Sequence, residues 1–261
     1  MPSLPLIEFH NLTVRRGDTV ALDGLTLSIA QDEHVAILGP NGSGKSTLMR
    51  VISRDLYPIY KAEPWSLRIL GRETWNLFEL RNLLGIVSND WMQFCTRDYS
   101  GLETVLSGFF GSVGVWTNHH VTPEMEAKAR AVLEMLEIEH LGARNVDEMS
   151  SGEARRILIA RALVHDPKAL ILDEPTSSLD LHAARELGNT LRKLARTGIS
   201  LILVTHHLLD IVPEIERVVM LRDGRVYRDG PKRDVLTSGN LTGLFRTSIE
   251  LDERNGYYQA W

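Results

Sequence analysis

The chain has 261 residues, enough for one large α/β domain with an inserted subdomain or for two small domains. Hydrophobic residues make up 43%, which supports a sizeable core and argues against disorder, and a formal net charge of −5 removes any global basic field that would gather nucleic acid. The single cysteine, Cys95, rules out an internal disulfide framework and a Cys-rich zinc site, and suits a reducing cytoplasm.

Met1-Pro2-Ser3-Leu4-Pro5 lacks the basic start and long apolar stretch of a signal peptide. No window reaches the ~18–20 unbroken apolar residues that span a bilayer, so a membrane role is expected to run through a partner. Leu6 to Val14 and Val20 to Ile29 alternate in polarity around the turn Arg16-Gly17-Asp18 and predict an antiparallel β region. Val35 to Leu38 is a short apolar strand running into a glycine-rich loop, with a helix expected from Lys45 to about Arg54. Leu67 to Leu70 and Leu84 to Val87 are further short strands. From Trp91 to Ala162 the pattern turns helical and aromatic. Thr122-Pro123 opens one helix as N-cap and first-turn proline, with Met125, Ala129, Val132, Leu133 and Leu136 on one face. The aromatics between Trp91 and Trp116 are assigned to the core of this segment by residue type; an exposed apolar groove there would instead mark a partner.

Strand character resumes at Ala169 to Leu172 and Ser200 to Val204. Between them Asp180 is placed to cap a helix that buries Leu187, Leu191 and Leu194 and stops near Gly198. Arg217 to Arg228 reads as a hairpin around Asp223-Gly224, and the tail after Gly230 reads as helix and loop. The expected fold class is α/β: a P-loop core (1–90 and 163–230) with an antiparallel β region, an inserted α-helical subdomain (91–162) and a C-terminal extension (231–261).

Gly39-Pro40-Asn41-Gly42-Ser43-Gly44-Lys45-Ser46-Thr47 contains G-x-x-x-x-G-K-S between a strand and a helix. Small residues let the backbone wrap phosphate with its N–H groups inward, and the helix start adds its positive end. Lys45 is then expected to lay a cation on the β- and γ-phosphates, and the Ser46 hydroxyl can ligate Mg²⁺. Ala169-Leu170-Ile171-Leu172-Asp173-Glu174 is an apolar strand ending in two carboxylates, where open α/β sheets place ligands. Asp173 is expected to hold a Mg²⁺-bound water and Glu174 to act as general base toward the attacking water. Taken alone, the pair could as well cap the next helix; the upstream phosphate loop favours the chemical role.

Met149-Ser150-Ser151-Gly152-Glu153 precedes the helical run Ala154-Arg155-Arg156-Ile157-Leu158-Ile159-Ala160-Arg161-Ala162-Leu163. Ser150 with Glu153 makes a capping box, which by itself only starts a helix. The segment also resembles the L-S-G-G-Q signature of ATP-binding cassette (ABC) ATPases, with Met149, Ser151 and Glu153 as departures. Ser177-Ser178-Leu179-Asp180 resembles the family's D-loop, and Val204-Thr205-His206 its switch histidine. These motifs stand in family order over residues 6–230. The signature and the run from Tyr99 to Phe109 look similar to molybdate-type and iron-complex-type ATPases.

The resemblance implies Mg²⁺-dependent hydrolysis of ATP by a homodimer. Each chain would offer its phosphate loop, Asp173, Glu174 and His206 to one nucleotide. Ser150, Ser151, Gly152 and Glu153 would serve the nucleotide of the twin, with Asp180 at the interface. The family's glutamine after Leu84 to Val87 has two candidates, Asn89 by spacing and Gln93 by chemistry, as ligands near Mg²⁺. The family's adenine-stacking aromatic is replaced by Arg16, whose guanidinium can stack on a base or simply be a solvated turn residue. The expected role is the energising subunit of a transporter, an importer, seated on transmembrane permease subunits at the cytoplasmic face, with no nucleic acid. The alternative is a soluble ABC-type ATPase with a regulatory or nucleic-acid-related role.

Overall fold

Short apolar runs are too brief for helices but long enough for central strands. The computed structural model describes residues 4–60, 62–88 and 99–261. The chain divides into two compact units, Met1–Leu77 with Ser200–Trp261, and Phe78–Ile199.

In the first unit β1 (Ile7–Arg16) pairs antiparallel with β2 (Thr19–Ile29) and with β4 (Ser66–Ile69). The alternation predicted for this region is visible in β2, where Leu22, Leu25, Leu27 and Ile29 are buried among exposed neighbours. β3 (Val35–Leu38) is buried along its whole length. It runs parallel to β7 (Ser200–Thr205) on one side and to β8 (Arg217–Arg222) on the other. Two-sided burial explains why β3 and β7 are continuous apolar runs rather than alternating ones. Each such Leu or Ile contributes about 1.5–3 kcal/mol relative to an exposed position. β8 turns through Asp223 (φ 52) and Gly224 (φ 75) into β9 (Arg225–Pro231), the hairpin anticipated from Asp-Gly.

The tail departs from the helix-and-loop expectation. After α7 (Lys232–Val235) and α8 (Ser238–Phe245) come β10 (Leu251–Arg254) and β11 (Tyr257–Ala260), an antiparallel hairpin. Its turn is Asn255-Gly256, both left-handed (φ 55 and 79). Asn-Gly between potential strands is a strong hairpin signal, and it was available in the sequence. The Lys232 ammonium ties this hairpin down, donating to the carbonyls of Val212, Pro213 and Gly256 at 3.3, 3.1 and 3.3 Å.

α2 (Leu77–Leu83) starts at the last residue of the Met1–Leu77 segment of the first unit, and the second unit holds the parallel pair β5 (Leu84–Val87) and β6 (Ala169–Asp173). Its helices are α3 (Gly101–Leu106), α4 (Pro123–Met135), α5 (Ser151–Leu163) and α6 (Leu181–Ala195). α4 starts as its sequence predicts: Thr122 Oγ1 accepts the Met125 N–H, Pro123 takes the first turn, and Ala129, Val132 and Leu133 are buried. α6 is capped by Asp180 and buries Leu187, Leu191 and Leu194, also as anticipated.

Trp91 and Phe94 lie outside the described residues, and the described aromatics of this unit are not its core. Phe109 and Phe110 are half-buried, and Trp116 is 54% exposed. The core is aliphatic, and its elements meet at glycines. A Cβ at Gly101 would sit 2.4 Å from the Leu141 carbonyl oxygen, and one at Gly108 2.5 Å from that of Arg161. Backbones that close leave no room for rings between them, so the rings lie outside. There His119 is stacked between Phe110 (4.1 Å, 13°) and Trp116 (5.6 Å, 7°). Among the described residues no helix is long and apolar enough to cross a membrane.

Candidate functional site

The phosphate loop belongs to the first unit and is held at both ends. Leu38 pairs in parallel register with Thr205, and the next amide, Gly39 N–H, donates to the Thr205 carbonyl at 3.2 Å. At the far end the Ser43 carbonyl accepts the Gly224 N–H at 3.0 Å. Between these anchors the backbone needs glycine. A Cβ at Gly39 would meet the Leu221 carbonyl oxygen at 2.4 Å. Gly44 is left-handed (φ 107), and its Cβ would meet the Ala21 carbonyl oxygen at 2.7 Å.

α1 (Lys45–Ile52) begins at this loop without a side-chain cap and without an acidic residue in its first turn. The usual satisfaction of a helix N-terminus is therefore missing, and its positive end faces whatever the loop encloses. Lys45 is 5% exposed and its ammonium donates to the carbonyls of Gly39 (2.8 Å) and Pro40 (3.1 Å), curling back over the loop. Ser46 is exposed at the helix start, whereas Thr47 is buried beneath it. The Ser43 hydroxyl is buried with no hydrogen-bond partner among the described atoms. A buried orphan hydroxyl is costly unless a ligand completes it. Together with the bare backbone, it fits a phosphate chain.

The same sheet edge carries the histidine. Thr205 ends β7, so His206 follows at the edge where Gly39 follows Leu38. The turn behind it is fastened by Thr205 Oγ1, which accepts the His207 N–H at 2.9 Å and bonds to the buried Asp210 carboxylate. His206 is half-buried and His207 exposed, with ring centroids 3.8 Å apart. Arg16 is exposed at the tip of the β1–β2 hairpin, opposite Thr19.

The second unit holds the acidic pair and the serine-led turn. Asp173 ends β6, one residue past Leu172, which pairs with Val87 of β5. Glu174 has φ 47, a left-handed conformation uncommon for a residue with a side chain, so the chain swings sharply as it leaves the strand. Asn89 and Gln93 lie outside the described residues.

At the start of α5 both halves of the capping box are made. Ser150 Oγ accepts the Glu153 N–H (3.3 Å), and the Glu153 carboxylate accepts the Ser150 N–H (2.8 Å) and hydroxyl (2.8 Å). Arg144 braces the same carboxylate at 2.8 Å. The Ser150 N–H first of all, with the Ser150 hydroxyl and Arg144 adding to it, holds the Glu153 carboxyl below the usual carboxylate range. Ser151 is exposed beside it, and Gly152 is buried. A Cβ on Gly152 would sit 2.7 Å from that of Ala183 in the first turn of α6. Asp180 is exposed, and its carboxylate accepts the Ala183 N–H at 2.8 Å.

Sequence reasoning missed Arg155. It is 3% exposed on α5, and its guanidinium donates to the Glu174 carbonyl at 3.1 Å and the Ser177 carbonyl at 3.5 Å. An arginine in an otherwise apolar helical face was the available signal, since an arginine is seldom buried without partners.

The first unit carries a glycine cradle on an uncapped helix, and the second a strand-end acidic pair and a serine-led helix. The model of the ABC transporter family matches residues 22–177, and the chain belongs to that family. It is, by family, an ATPase. It is 33% identical to the hemin import ATP-binding protein HmuV of Bradyrhizobium diazoefficiens over 96% of this chain and 92% of that one. It is 37% identical to the phosphonates import ATP-binding protein PhnC of Wolinella succinogenes, over 86% and 83%. A solved dimeric structure of the ATP-binding cassette MJ0796, in a post-hydrolysis state with ADP and Pi, superposes with a TM-score of 0.68. It is 28% identical and covers 86% of this chain and 98% of that one.

Proposed function

We propose that the protein is the ATP-hydrolysing subunit of an importer, working as a homodimer on transmembrane permease subunits at the cytoplasmic face of the membrane. The observation that carries this reading is the uncapped start of α1, with the orphan Ser43 hydroxyl and the Lys45 ammonium turned into the loop. ATP would exchange its phosphate oxygens for the Gly39 and Pro40 carbonyls that Lys45 now contacts. The N–H groups of the loop would take the remaining charge.

The donors suited to magnesium are the Ser46 hydroxyl and the Asp173 carboxylate, with Asn89 or Gln93 as a further oxygen ligand. Such hard oxygen groups match an ion that keeps several waters and leans on substrate phosphates. When bound, the ion would neutralise charge on the transferring phosphoryl group. Glu174 would hold and deprotonate the attacking water, and His206 would steady the γ-phosphate. Ser150, Ser151, Gly152 and Glu153 would close on the nucleotide of the twin, with Asp180 at the contact, and Arg16 would lie against the adenine. Catalysis then comes from positioning and charge stabilisation rather than covalent chemistry.

The import direction rests on the printed names of HmuV and PhnC. Those names carry two unlike cargoes, hemin and phosphonates, which supports leaving cargo choice to the partner subunits. The half-buried and exposed rings at Phe109, Phe110 and Trp116 are the surface we assign to the permease.

The test is Glu174→Gln. It should bind ATP, fail to turn it over and elute as a dimer in Mg-ATP but a monomer without nucleotide. A monomer under both conditions defeats the dimer reading. A chain never retained by membranes bearing its permease defeats the transport reading.

A further inference from the structure

The start of α5 and the Glu174 turn are joined inside one chain by a buried guanidinium. Arg155 lies one helical turn beyond Ser150–Gly152. Its two terminal nitrogens reach two carbonyls of the turn that follows β6, those of Glu174 and Ser177. The Glu174 carbonyl already accepts the Ser177 N–H at 3.1 Å, and Leu179 N–H donates to Thr176 O at 3.0 Å. The turn is therefore tight, and two of its residues, Glu174 (φ 47) and Ser178 (φ 66), hold left-handed conformations unfavourable for residues with a Cβ. Such a turn keeps its shape only while its surroundings over-determine it.

Among the described contacts, α5 supplies part of those surroundings. Arg155 clamps the beginning and middle of the turn. Gly152, three residues earlier on α5, lets that helix touch Ala183, just beyond the Asp180 cap at the turn's end. The turn from Glu174 to Asp180 is thus bracketed by the first two turns of one helix. A guanidinium suits the task because its planar donors form a rigid fork aimed at two acceptors, a pre-organisation that an ammonium lacks.

We infer that Arg155 is a positioning residue for Glu174, carrying displacement of the Ser150–Glu153 turn to the backbone that aims the Glu174 carboxylate. This rests on the assignment of Glu174 and the serine-led turn under Proposed function. It adds that closing on the twin's nucleotide would set the chain's own water-activating carboxylate. The two sites of the dimer would then be coupled through each chain's α5.

The experiment compares the full chain with Arg155→Met, Arg155→Lys and, as a neighbouring control, Arg156→Met. It reads kcat, KM, the Hill coefficient for ATP and the thermal midpoint. Arg155→Met should lower kcat on the order of 10²-fold, the scale for a misplaced catalytic group, with KM changed less than about twofold. The Hill coefficient should fall to one. Arg155→Lys, which keeps the charge but loses the planar fork, should fall between Met and the natural residue, and Arg156→Met should match the unaltered chain. Adding Glu174→Gln to Arg155→Met should leave the ATP-dependent dimer intact. The inference is overturned if either Arg155 variant keeps wild-type kcat and cooperativity, or if apparent kcat falls only in proportion to lost folded protein while the Hill coefficient stays at the wild-type value. Should the Met variant not fold, the Lys variant decides by the same readouts. A wild-type chain that neither dimerises nor hydrolyses ATP would instead defeat the underlying assignment.

Discussion

The starts of α1 and α5 are built on opposite plans. At α1 a left-handed glycine stands where a cap would be, no carboxylate lies in the first turn, and a buried hydroxyl is left over. At α5 the N-terminus is closed by its own chain, with serine, glutamate and Arg144 all engaged. One helix start has no side-chain cap; the other is closed by its own side chains. The start of α3 sharpens the lesson. Ser100 and Glu103 make the same reciprocal capping box as Ser150 and Glu153. The box is therefore a way of starting a helix, and what sets α5 apart is Gly152 against Ala183 and Arg155 on the Glu174 turn.

Lys45→Ala attacks the open plan directly and should have the largest effect. Turnover measured by phosphate release should fall about 10²–10³-fold, the range for removing one charge-stabilising donor, while the fold persists. Wild-type turnover would mean the open helix start is not a phosphate site.

Gly152→Ala probes the closed plan through packing. The added methyl meets Ala183 and should cost about 1–3 kcal/mol in denaturant unfolding. Ala183→Gly in the same chain should return most of that. If stability returns and turnover does not, Gly152 serves more than packing.

Ser150→Ala and Ser100→Ala should each cost about 0.5–2 kcal/mol, as cap removals do. Only the first should abolish ATP turnover. Equal losses of turnover in the two would erase the distinction between the boxes.

The smallest effect is in pH. Because the fold lowers the Glu153 carboxyl below its ordinary range, chiefly through the Ser150 N–H, its ionised form adds stability that is complete above the unfolded carboxylate pKa. That stability disappears as pH falls through the lowered value. Glu153→Gln should therefore be less stable than the natural chain at neutral pH, with the gap closing in acid. A gap that persists unchanged in acid would show that Glu153 acts here as a neutral cap.

Local chemistry was readable wherever one stretch of chain carries the whole instruction. The glycine-rich loop before α1, the Ser150–Glu153 capping box, the Thr122 and Asp180 caps and the Asp-Gly hairpin all follow from residue type at fixed spacing, because their bonds join residues a few positions apart. The strands β3, β6 and β7 were legible for a related reason: two-sided burial demands continuous apolar runs. Only tertiary structure decided that the Phe109–Trp116 rings lie outside an aliphatic core, since that depends on backbones meeting at Gly101 and Gly108. It alone placed His206 beside the phosphate loop through the Leu38–Thr205 register, and joined Arg155 to the Glu174 turn 19 residues away. Contacts of that kind are set by how elements stack, and a linear pattern of polarity does not encode which faces will meet.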